Sequence, residues 1–364
     1  MRVAYFHSEL SRKGPGLLLR DILKGDAQIE AWLRVVASAD PDILVIGDID
    51  YDLHGVALAA LAERLQDYPH RFTRRPNRGV DSGRDLDGDG RIGGPGDMEG
   101  YAEFAGQGGM AVLSRFEIDV MRVRDFSSLL WKDLPDPQMI GDGRDPAWLS
   151  TTVHWDVPVR LPDGRGLHLL VWHGTAPVFD GPEDRNGWRN HDETRFWQLY
   201  LDRRLIWTPP DWFVLLGTAN ADPLDGESRP EALRGLLDHP LLWDPNPRSD
   251  EGAPASLRDG GVNMLHQSAP ARDTVDWPDV AGAPGNLRVD YVLPARRLEL
   301  IKSGVFWPAP ETLLGSDVAL ASRHRLVWVD LEMGDRLAKG RERIGRSEPR
   351  QERVEPGTVQ AVRH

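Results

Sequence analysis

The sequence predicts an α/β layered domain, because segments typical of strands and of helices alternate along almost the whole chain. Neither a repeat of fixed period nor a linker interrupts this alternation, and 364 residues suffice for one large domain or two ordinary ones. The composition, 40% hydrophobic and 28% charged, is that of a globular protein rather than a disordered chain.

The predicted strands are short apolar runs, several of them rich in valine and aromatic residues, which favour extended structure. Polar residues or turns bound each of these runs. The predicted strands are Arg2–Phe6, Asp42–Asp48, Gly109–Ser114, Ser150–Val159, Leu167–His173, Phe213–Gly217, Arg288–Pro294 and the run that follows Ser322 and ends at Leu331.

The predicted helices lie between these strands. Apolar residues recur at the spacing of one helix face between Asp26 and Ala39, which predicts an amphipathic helix there. Asn190 and Glu193 have the spacing of a capping box, so we expect a helix over His191–Leu201. Further helices are predicted over Val56–Leu65 and Arg229–Asp238.

Charge, cysteine content and hydropathy exclude several classes of protein. The formal net charge of −13 argues against a protein that holds long nucleic acid on a basic surface. The absence of cysteine excludes disulfides, thiolate metal ligands and a cysteine nucleophile. No apolar run approaches the about 18 residues of a membrane-spanning helix. No signal peptide is visible, so we expect a cytoplasmic protein, or an exported one if the numbering begins at the mature chain.

The chain changes character after Asp330, where large apolar side chains become rare and charged residues frequent. We therefore predict one folded domain over residues 1–331 and a charged, solvated tail over residues 332–364. Within this tail, Asp335–Ile344 has some helical character.

Polar side chains collect where the predicted strands end. In layered α/β folds, functional sites form at strand ends because the rigid sheet positions the loop side chains. A single polar residue there is most often a cap or a turn former, whereas seven together indicate a site. The seven residues are His7, Asp48, His173, Asn220, Asp222, Asp290 and His324.

The motifs that carry these residues occur in the order "YFH", "VIGD", "GMAVLSR", "VWH", "GTAN", "RVDY" and "SRH". From Arg2 to Leu331 this order resembles the pattern of the endonuclease/exonuclease/phosphatase superfamily, and more specifically a bacterial branch of it. In that pattern a strand is followed by Asn, a second ends in Gln-Glu, and "GxAILSR", a strand ending in His, "GDFN", "RxDY" and "SDH" follow. The resemblance implies a deoxyribonuclease-like fold, a four-layer α/β sandwich of two packed mixed β-sheets flanked by helices.

Four positions depart from that pattern. His7 stands where the family has its first Asn, and Asp48 stands for the metal-binding Glu. Thr218 replaces the Asp of "GDFN", and Arg323 replaces the Asp of "SDH". The metal-site motifs are therefore altered.

The resemblance implies catalytic roles for the residues that match. Asp290 and His324 fit the acid–histidine pair, in which the acid fixes the tautomer of the imidazole and favours its protonated form. His173 fits the second histidine of the family, and Asn220 would orient the nucleophile. Arg323, which departs from the pattern, offers an alternative to a metal ion: its guanidinium would bind phosphate bidentately and supply the positive charge itself.

The altered motifs leave the nature of the metal open. A Mg²⁺ ion prefers oxygen ligands, and the residues at Thr218 and Arg323 no longer offer carboxylates. A site of His7 with Asp48 would favour a more nitrogen-tolerant ion, Mn²⁺ or Zn²⁺. The competing interpretation is a pocket that has lost its activity while the fold persists.

A second metal signal is independent of the first. The stretch "DLDGDGRIGGPGD" has Asp at positions 1, 3 and 5 and Gly at position 6, as in the first half of an EF-hand calcium loop. Position 12, usually Glu, is Gly96. We predict a structural Ca²⁺ ion here, the alternative being a flexible polar turn. The expected ligands are the side chains of Asp85, Asp87, Asp89 and Asp97 or Glu99, with the main-chain carbonyl of Arg91.

The segment after His173 adds three residues that we predict to bind the phosphate or sugar of a substrate: Arg185, Arg189 and His191. The alternative is a well-capped loop held by turns at Asp184 and Asn186.

These motifs predict a divalent-metal-assisted phosphoester hydrolase, which includes phosphodiesterases, phosphatases and nucleases. The acidic chain favours a small phosphate ester over genomic DNA as its substrate. One alternative is a non-catalytic binding protein on the same fold, stabilised by calcium. Another is a sphingomyelinase-like lipid phosphodiesterase, although the sequence shows no exposed apolar hairpin that would support it.

Overall fold

A computed structural model describes residues 1–139, 146–278 and 280–334. Two mixed β-sheets, each of six strands, pack face to face, and helices cover their outer surfaces. The predicted four-layer α/β sandwich is confirmed. The predicted tail lies outside the described residues from residue 335 onward, including its stretch of helical character.

The elements alternate along the described chain as the sequence predicts. The helices are α1 (Leu17–Lys24), α2 (Ala27–Ala39), α3 (Val56–Leu65), α4 (Arg185–Leu201), α5 (Glu231–Leu237), α6 (Gly252–Asp259) and α7 (Leu313–Ala321). The strands are β1 (Arg2–Leu10), β2 (Ile43–Ile49), β3 (His70–Thr73), β4 (Gly109–Ser114), β5 (Glu117–Ile118), β6 (Arg124–Asp125), β7 (His154–Arg160), β8 (Gly166–His173), β9 (Phe213–Thr218), β10 (Asp290–Pro294), β11 (Glu299–Phe306) and β12 (Leu326–Glu332).

Each sheet contains one parallel pair at its centre. The first sheet has the order β11-β12-β1-β2-β4-β3, with β1 parallel to β2. The second has the order β10-β9-β8-β7-β5, with β8 parallel to β9 and β6 paired to β7. Because parallel strands need a crossover connection, α1 and α2 lie between β1 and β2, and α4 lies between β8 and β9.

The alternation of side chains along β1 shows how the layers pack. Val3 and Tyr5 belong to the apolar cluster shared with the second sheet. Ala4 and Phe6 belong to the cluster on the other face, which includes Trp32 of α2. All four β1 side chains are completely buried, so this strand contributes to two cores at once.

The structure corrects the predicted start of one helix. Helix α4 begins at Arg185, six residues before the predicted start. Asn190 and Glu193 lie inside it and do not form a capping box; their side chains bond to loops of the second sheet instead.

Among the described residues, none of the helices is both long enough and apolar enough to cross a membrane.

Candidate active site

Strand pairing brings the predicted site residues to one end of the sandwich. His7 lies opposite Gly47 in the parallel pair of β1 and β2. His173 and Asp290 both lie opposite Thr218, one on each side of β9. His324 immediately precedes Arg325 and β12, which runs antiparallel to β1, so its loop opens at the same end.

The central contact is a buried acid–histidine pair. Asp290 Oδ2 lies 2.7 Å from His324 Nδ1, and both side chains are almost wholly buried. The main-chain N–H of Asp290 donates to Thr274 Oγ1 at 3.0 Å, and that of His324 donates to Ser322 Oγ at 3.0 Å. The other oxygen, Asp290 Oδ1, is buried and has no hydrogen-bond partner among the described residues. The pair is therefore fixed from both sides and keeps one unused acceptor.

Three imidazoles lie side by side in this cleft. The rings of His7 and His324 stack with their centroids 4.0 Å apart, and His173 lies 5.4 Å from His7. Tyr5 Oη approaches His7 Nδ1 at 3.5 Å. Burial, followed by the charge of His324, lowers the pKa of His7 to about 4. Burial also lowers the pKa of His173 well below its usual value. At neutral pH both rings are uncharged, which is the form that binds a metal or accepts a proton.

Asn220 is held beside the second histidine. Its Nδ2 donates to Gly174 O at 2.8 Å and lies 3.5 Å from His173 Nε2. The N–H of Asn220 donates to Thr218 Oγ1 at 3.3 Å, and that hydroxyl donates to Val289 O at 3.2 Å. Thr218, where the family has a carboxylate, thus serves here to join neighbouring strands.

Helix α4 fixes the two loops that carry His173 and Asn220. Asn190 Nδ2 donates to Thr175 O and Ala219 O, each at 2.6 Å. Glu193 accepts from the main-chain N–H of Thr151 at 2.9 Å. One buried amide therefore joins the loop after β8 to the loop after β9.

Asp48 lies near His7, on which its charge acts, but its carboxylate is held by other residues. Its Oδ2 accepts a hydrogen bond from Ser11 Oγ at 3.2 Å, and its Oδ1 faces Arg78 Nη1 at 3.3 Å. Arg78 was not among the predicted site residues, because it follows β3 in a loop that has no recognisable motif. The signal that was available is the glycine that follows it, Gly79, which marks a turn of positive φ.

Arg323 is paired with an acid that the sequence prediction missed. Its Nε and its main-chain N–H both donate to the carboxylate of Glu9, at 2.7 and 2.8 Å. Burial raises the pKa of Glu9, but the hydrogen bonds from Arg323 outweigh this effect and hold it at about 2. The charge of Arg323 is therefore balanced within the protein, and its placement does not support the predicted grip on phosphate.

The structure brings His7 together with two residues other than its predicted metal partner, Asp48. Ligand atoms of His7, Asp290 and His324 all lie within 4.8 Å of one another, and all three residues are buried. Asp48 is not in this group; its carboxylate contacts Arg78 and Ser11. Two imidazoles and one carboxylate with an unused oxygen suit Mn²⁺ or Zn²⁺ better than Mg²⁺.

The acidic loop has a different geometry from the predicted calcium site. Asp85, Asp87 and Asp89 are exposed, with carboxylate oxygens within 4.8 Å of one another. The fourth expected ligand, Asp97, is buried and outside this group. Its carboxylate accepts three main-chain N–H groups, from Leu86, Gly93 and Gly94. The alternative fourth ligand, Glu99, accepts from the N–H of Trp148 at 3.1 Å. The main-chain N–H of Arg91 donates to Asp89 Oδ1 at 2.8 Å.

Two of the three predicted substrate-binding residues face the protein interior. Arg189 is 5% exposed, and its guanidinium donates to the main-chain carbonyls of Leu149, at 3.0 Å, and of Trp148. His191 Nδ1 lies 2.9 Å from Asp192 Oδ1. Arg185 is half-buried at the first position of α4. The contacts of Arg189 hold α4 against the loop before β7, whereas the contact of His191 lies within the helix; neither supports substrate binding.

Comparisons with known proteins agree with this geometry. The sequence pattern described as "Endonuclease/Exonuclease/phosphatase family" matches residues 14–324. A crystal structure of an endonuclease/exonuclease/phosphatase from Beutenbergia cavernae DSM 12333 is 18% identical, with a TM-score of 0.55 over 92% of this chain and 72% of that chain. The human nocturnin catalytic domain, solved with a bound sulfate anion, is 14% identical, with a TM-score of 0.50 over 91% of this chain and 93% of that chain. No curated protein matches the sequence. At these identities the solved structures show a shared fold alone.

Proposed function

The chain belongs to the endonuclease/exonuclease/phosphatase family, and on that premise we propose that it is a divalent-metal-assisted hydrolase of small phosphate esters. The observation that carries this proposal is the buried contact of 2.7 Å between Asp290 and His324, with His7 stacked on His324 and His173 beside His7. These residues come from strands and loops far apart in the sequence, and their convergence in one cleft is what the hydrolytic chemistry of the family requires.

Each residue of the site would have its own role in catalysis. Asp290 binds Nδ1 of His324 and so leaves Nε2 as the nitrogen available to a substrate or an ion. His173 is neutral at physiological pH and lies beside Asn220, whose amide would orient the attacking water. Phosphoryl transfer needs mainly positioning and positive charge, and a preorganised cleft supplies both.

A divalent ion fits the cluster of His7, Asp290 and His324. When bound, it would supply positive charge beside the phosphoryl oxygens and polarise the phosphorus–oxygen bonds. The neutral state of His7 and the unused oxygen of Asp290 favour an ion that accepts mixed nitrogen and oxygen ligands. The proposal of a small substrate follows from the net charge of −13, which disfavours long polyanions.

Hydrolysis of bis-(p-nitrophenyl) phosphate and of the corresponding monoester, with Mg²⁺, Mn²⁺, Ca²⁺ and Zn²⁺ supplied separately, tests this function. We expect activity with Mn²⁺ or Zn²⁺, and a loss of roughly a hundredfold or more in His324→Ala and in His173→Ala, because both imidazoles lie in the cleft. His54→Ala, at an exposed position, should keep full activity. A flat response to every metal with both substrates would favour the non-catalytic binding protein.

We also propose that the acidic loop binds Ca²⁺ through Asp85, Asp87 and Asp89. The supporting observation is that the three carboxylates converge within 4.8 Å, and no ion pair to any of them is found in the described part of the chain. Their oxygens instead accept main-chain N–H groups within the loop, which holds the side chains together.

Calcium binding is measured as a rise in melting temperature on addition of Ca²⁺. We expect Asp87→Ala to abolish this rise, because it removes one of three convergent oxygen ligands. Asp250→Ala, at an exposed position elsewhere, should preserve it. An unchanged rise in Asp87→Ala would show that Ca²⁺ binds elsewhere.

A further inference from the structure

Arg78 reaches the cleft without being fully engaged by the protein. Its Nη1 donates to Asp48 Oδ1 at 3.3 Å and to Gly108 O at 3.4 Å, and its Nε donates to Tyr101 O at 3.3 Å. All three contacts are long for hydrogen bonds of a charged donor. No hydrogen bond of Nη2 is found among the described residues. The guanidinium thus keeps donors for a further partner.

The main chain at Arg78 is held rigidly. The neighbouring Asn77 donates from Nδ2 to Ser127 O and Ser150 O, both at 2.7 Å. The carbonyl of Arg78 accepts from Gly106 N at 3.2 Å. Such anchoring means that little conformational freedom is lost when the side chain binds a ligand.

A glycine makes room for Arg78 and Asp48 to meet. A Cβ atom on Gly108, which has a φ of +61°, would lie 2.4 Å from Arg78 Nη1 and 2.5 Å from Asp48 Oδ1. Any side chain here would therefore disturb their contact. Asp48 directly follows Gly47, which lies opposite His7 in the sheet, so the guanidinium that contacts Asp48 lies close to the catalytic cleft.

Arg78 differs in this respect from the other arginine near the cleft. Arg323 donates to Glu9 through its Nε, its Nη2 and its main-chain N–H, so its charge is fully balanced by one acid. The contact between Arg78 and Asp48 is a single long one of 3.3 Å. Of these two guanidinium groups, Arg78 makes the longer contacts and keeps its Nη2 without a hydrogen bond among the described residues.

We infer that Arg78 binds the phosphoryl oxygens of the substrate, and that Asp48 orients this guanidinium instead of holding a metal ion. The planar guanidinium presents two parallel N–H groups that match two phosphoryl oxygens. The guanidinium of Arg78 places a fixed positive charge beside the carboxylate of Asp48, which matches the metal-binding Glu of the family. This inference rests on the proposed function for the identity of the ligand, but its test does not require turnover.

The test is the binding of inorganic phosphate, measured by isothermal titration calorimetry in the presence of EDTA. We expect Arg78→Met to weaken phosphate binding about tenfold or more, because a charge-assisted pair of hydrogen bonds is lost. The phosphate affinity of Arg78→Lys should lie between those of the wild type and of Arg78→Met, since an ammonium group lacks the two parallel N–H groups of a guanidinium. Arg75→Met, an exposed arginine of the same loop, should bind like the wild type. Near-ultraviolet circular dichroism checks that each variant is folded.

Asp48→Asn separates the two roles of that carboxylate, and it serves even if Arg78→Met does not fold. If Asp48 only orients Arg78, the variant should bind phosphate in EDTA at least as tightly as the wild type, because a competing negative charge is gone. Three results would overturn the inference. The first is loss of phosphate binding in Asp48→Asn, and the second is the absence of phosphate binding by the wild type in EDTA. The third is an equal phosphate affinity of Arg78→Met and the wild type. Phosphate binding that depends on Arg78 without any ester hydrolysis would instead refute the proposed function and leave this inference standing.

Discussion

Asp273 and Asp290 are both buried carboxyl groups, and in each of them one oxygen lacks a hydrogen-bond partner among the described residues. Their surroundings differ in sign. Asp290 has the imidazole of His324 at 2.7 Å, which can carry a positive charge. The charged groups that act on Asp273 are the carboxylates of Asp222 and Asp225. Burial and these two acids raise the pKa of Asp273 to about 8. Asp273 is therefore protonated in the folded protein at neutral pH. Because the unfolded chain ionises at a lower pH, the free energy of unfolding falls as the pH rises.

Replacing Asp273 with asparagine should stabilise the protein in a pH-dependent way. In the unfolded chain the carboxyl group ionises near pH 3.8, but in the folded chain only near pH 8, so the wild type loses stability as the pH rises through this range. The amide of the Asp273→Asn variant does not titrate, so we expect the gain in free energy of unfolding to be small at pH 4 and about 2 kcal/mol or more at pH 8. Urea unfolding at several pH values measures it.

The control for that series is Asp250→Asn, which lies at an exposed position. Its difference from the wild type should stay near zero at every pH. A gain in Asp273→Asn that is the same at pH 4 and at pH 8 would show that the carboxyl group is ionised in the folded protein.

At single positions, the sequence predicted the residues that carry a motif and missed those that do not. Asp290 and His324 could be paired in advance because "RVDY" and "SRH" mark them, and the structure joins them. Arg78 and Glu9 have no motif, and their place at the cleft depends on how loops fold back over the sheet. Arg189 shows the opposite case: it lies near a motif, but the turn of α4 points its guanidinium at main-chain carbonyls.

Among the elements, α4 has the most direct effect on the site. Asn190 lies nearly fully buried, and its amide holds the carbonyls of Thr175 and Ala219 at 2.6 Å each. These carbonyls belong to the loops that follow His173 and precede Asn220. The position of the helix is therefore transmitted to two residues of the cleft through one side chain.

Asn190→Asp should separate these loops. The carboxylate has the same shape but would place an acceptor against two carbonyl oxygens in a buried site, so we expect a loss of about 1–3 kcal/mol in the free energy of unfolding. We also expect the hydrolysis rate to fall about tenfold, since His173 and Asn220 would lose their relative placement. Thermal melting and the p-nitrophenyl assays measure both effects.

Asn186→Asp provides a matched comparison on the same helix. Asn186 is half-buried in the first turn, and its amide makes one hydrogen bond, to Val178 O at 2.8 Å. An acidic residue is tolerated at a helix start, so both losses should be clearly smaller. Equal effects at the two positions would mean that the contacts of Asn190 have no special role.

Elements were predictable where their own side chains determine them, and less so where distant contacts do. Helix α3 spans Val56–Leu65 as predicted, because its apolar periodicity is local. The start of α4 was wrong because Asn190 and Glu193, which look like a cap in sequence, are used for tertiary hydrogen bonds. Strand β11 was missed, since much of Glu299–Phe306 is exposed and its alternation is weak.

At the scale of the molecule, the last strand completes the first sheet. Strand β12 lies between β1 and β11 and is antiparallel to both. The amino group of Met1 donates to Leu331 O at 2.9 Å, and Leu331 N donates to Met1 O at 2.8 Å. Val329 and Leu331 are buried in the core between the sheets. These contacts support the proposal that the folded domain is complete within a few residues of Leu331.

A chain that ends at Gly334 should therefore fold with a melting temperature within about 2 °C of the full chain, because every strand of both sheets is retained. A chain that ends at Val327 provides the opposing case. It loses the pairs of Arg2 with Asp330 and of Val3 with Val329, which leaves much of β1 without its antiparallel neighbour. We expect this shorter chain to be unfolded or aggregated. If the chain ending at Gly334 melted several degrees lower, the residues beyond it would be part of the domain, and the predicted boundary would be wrong.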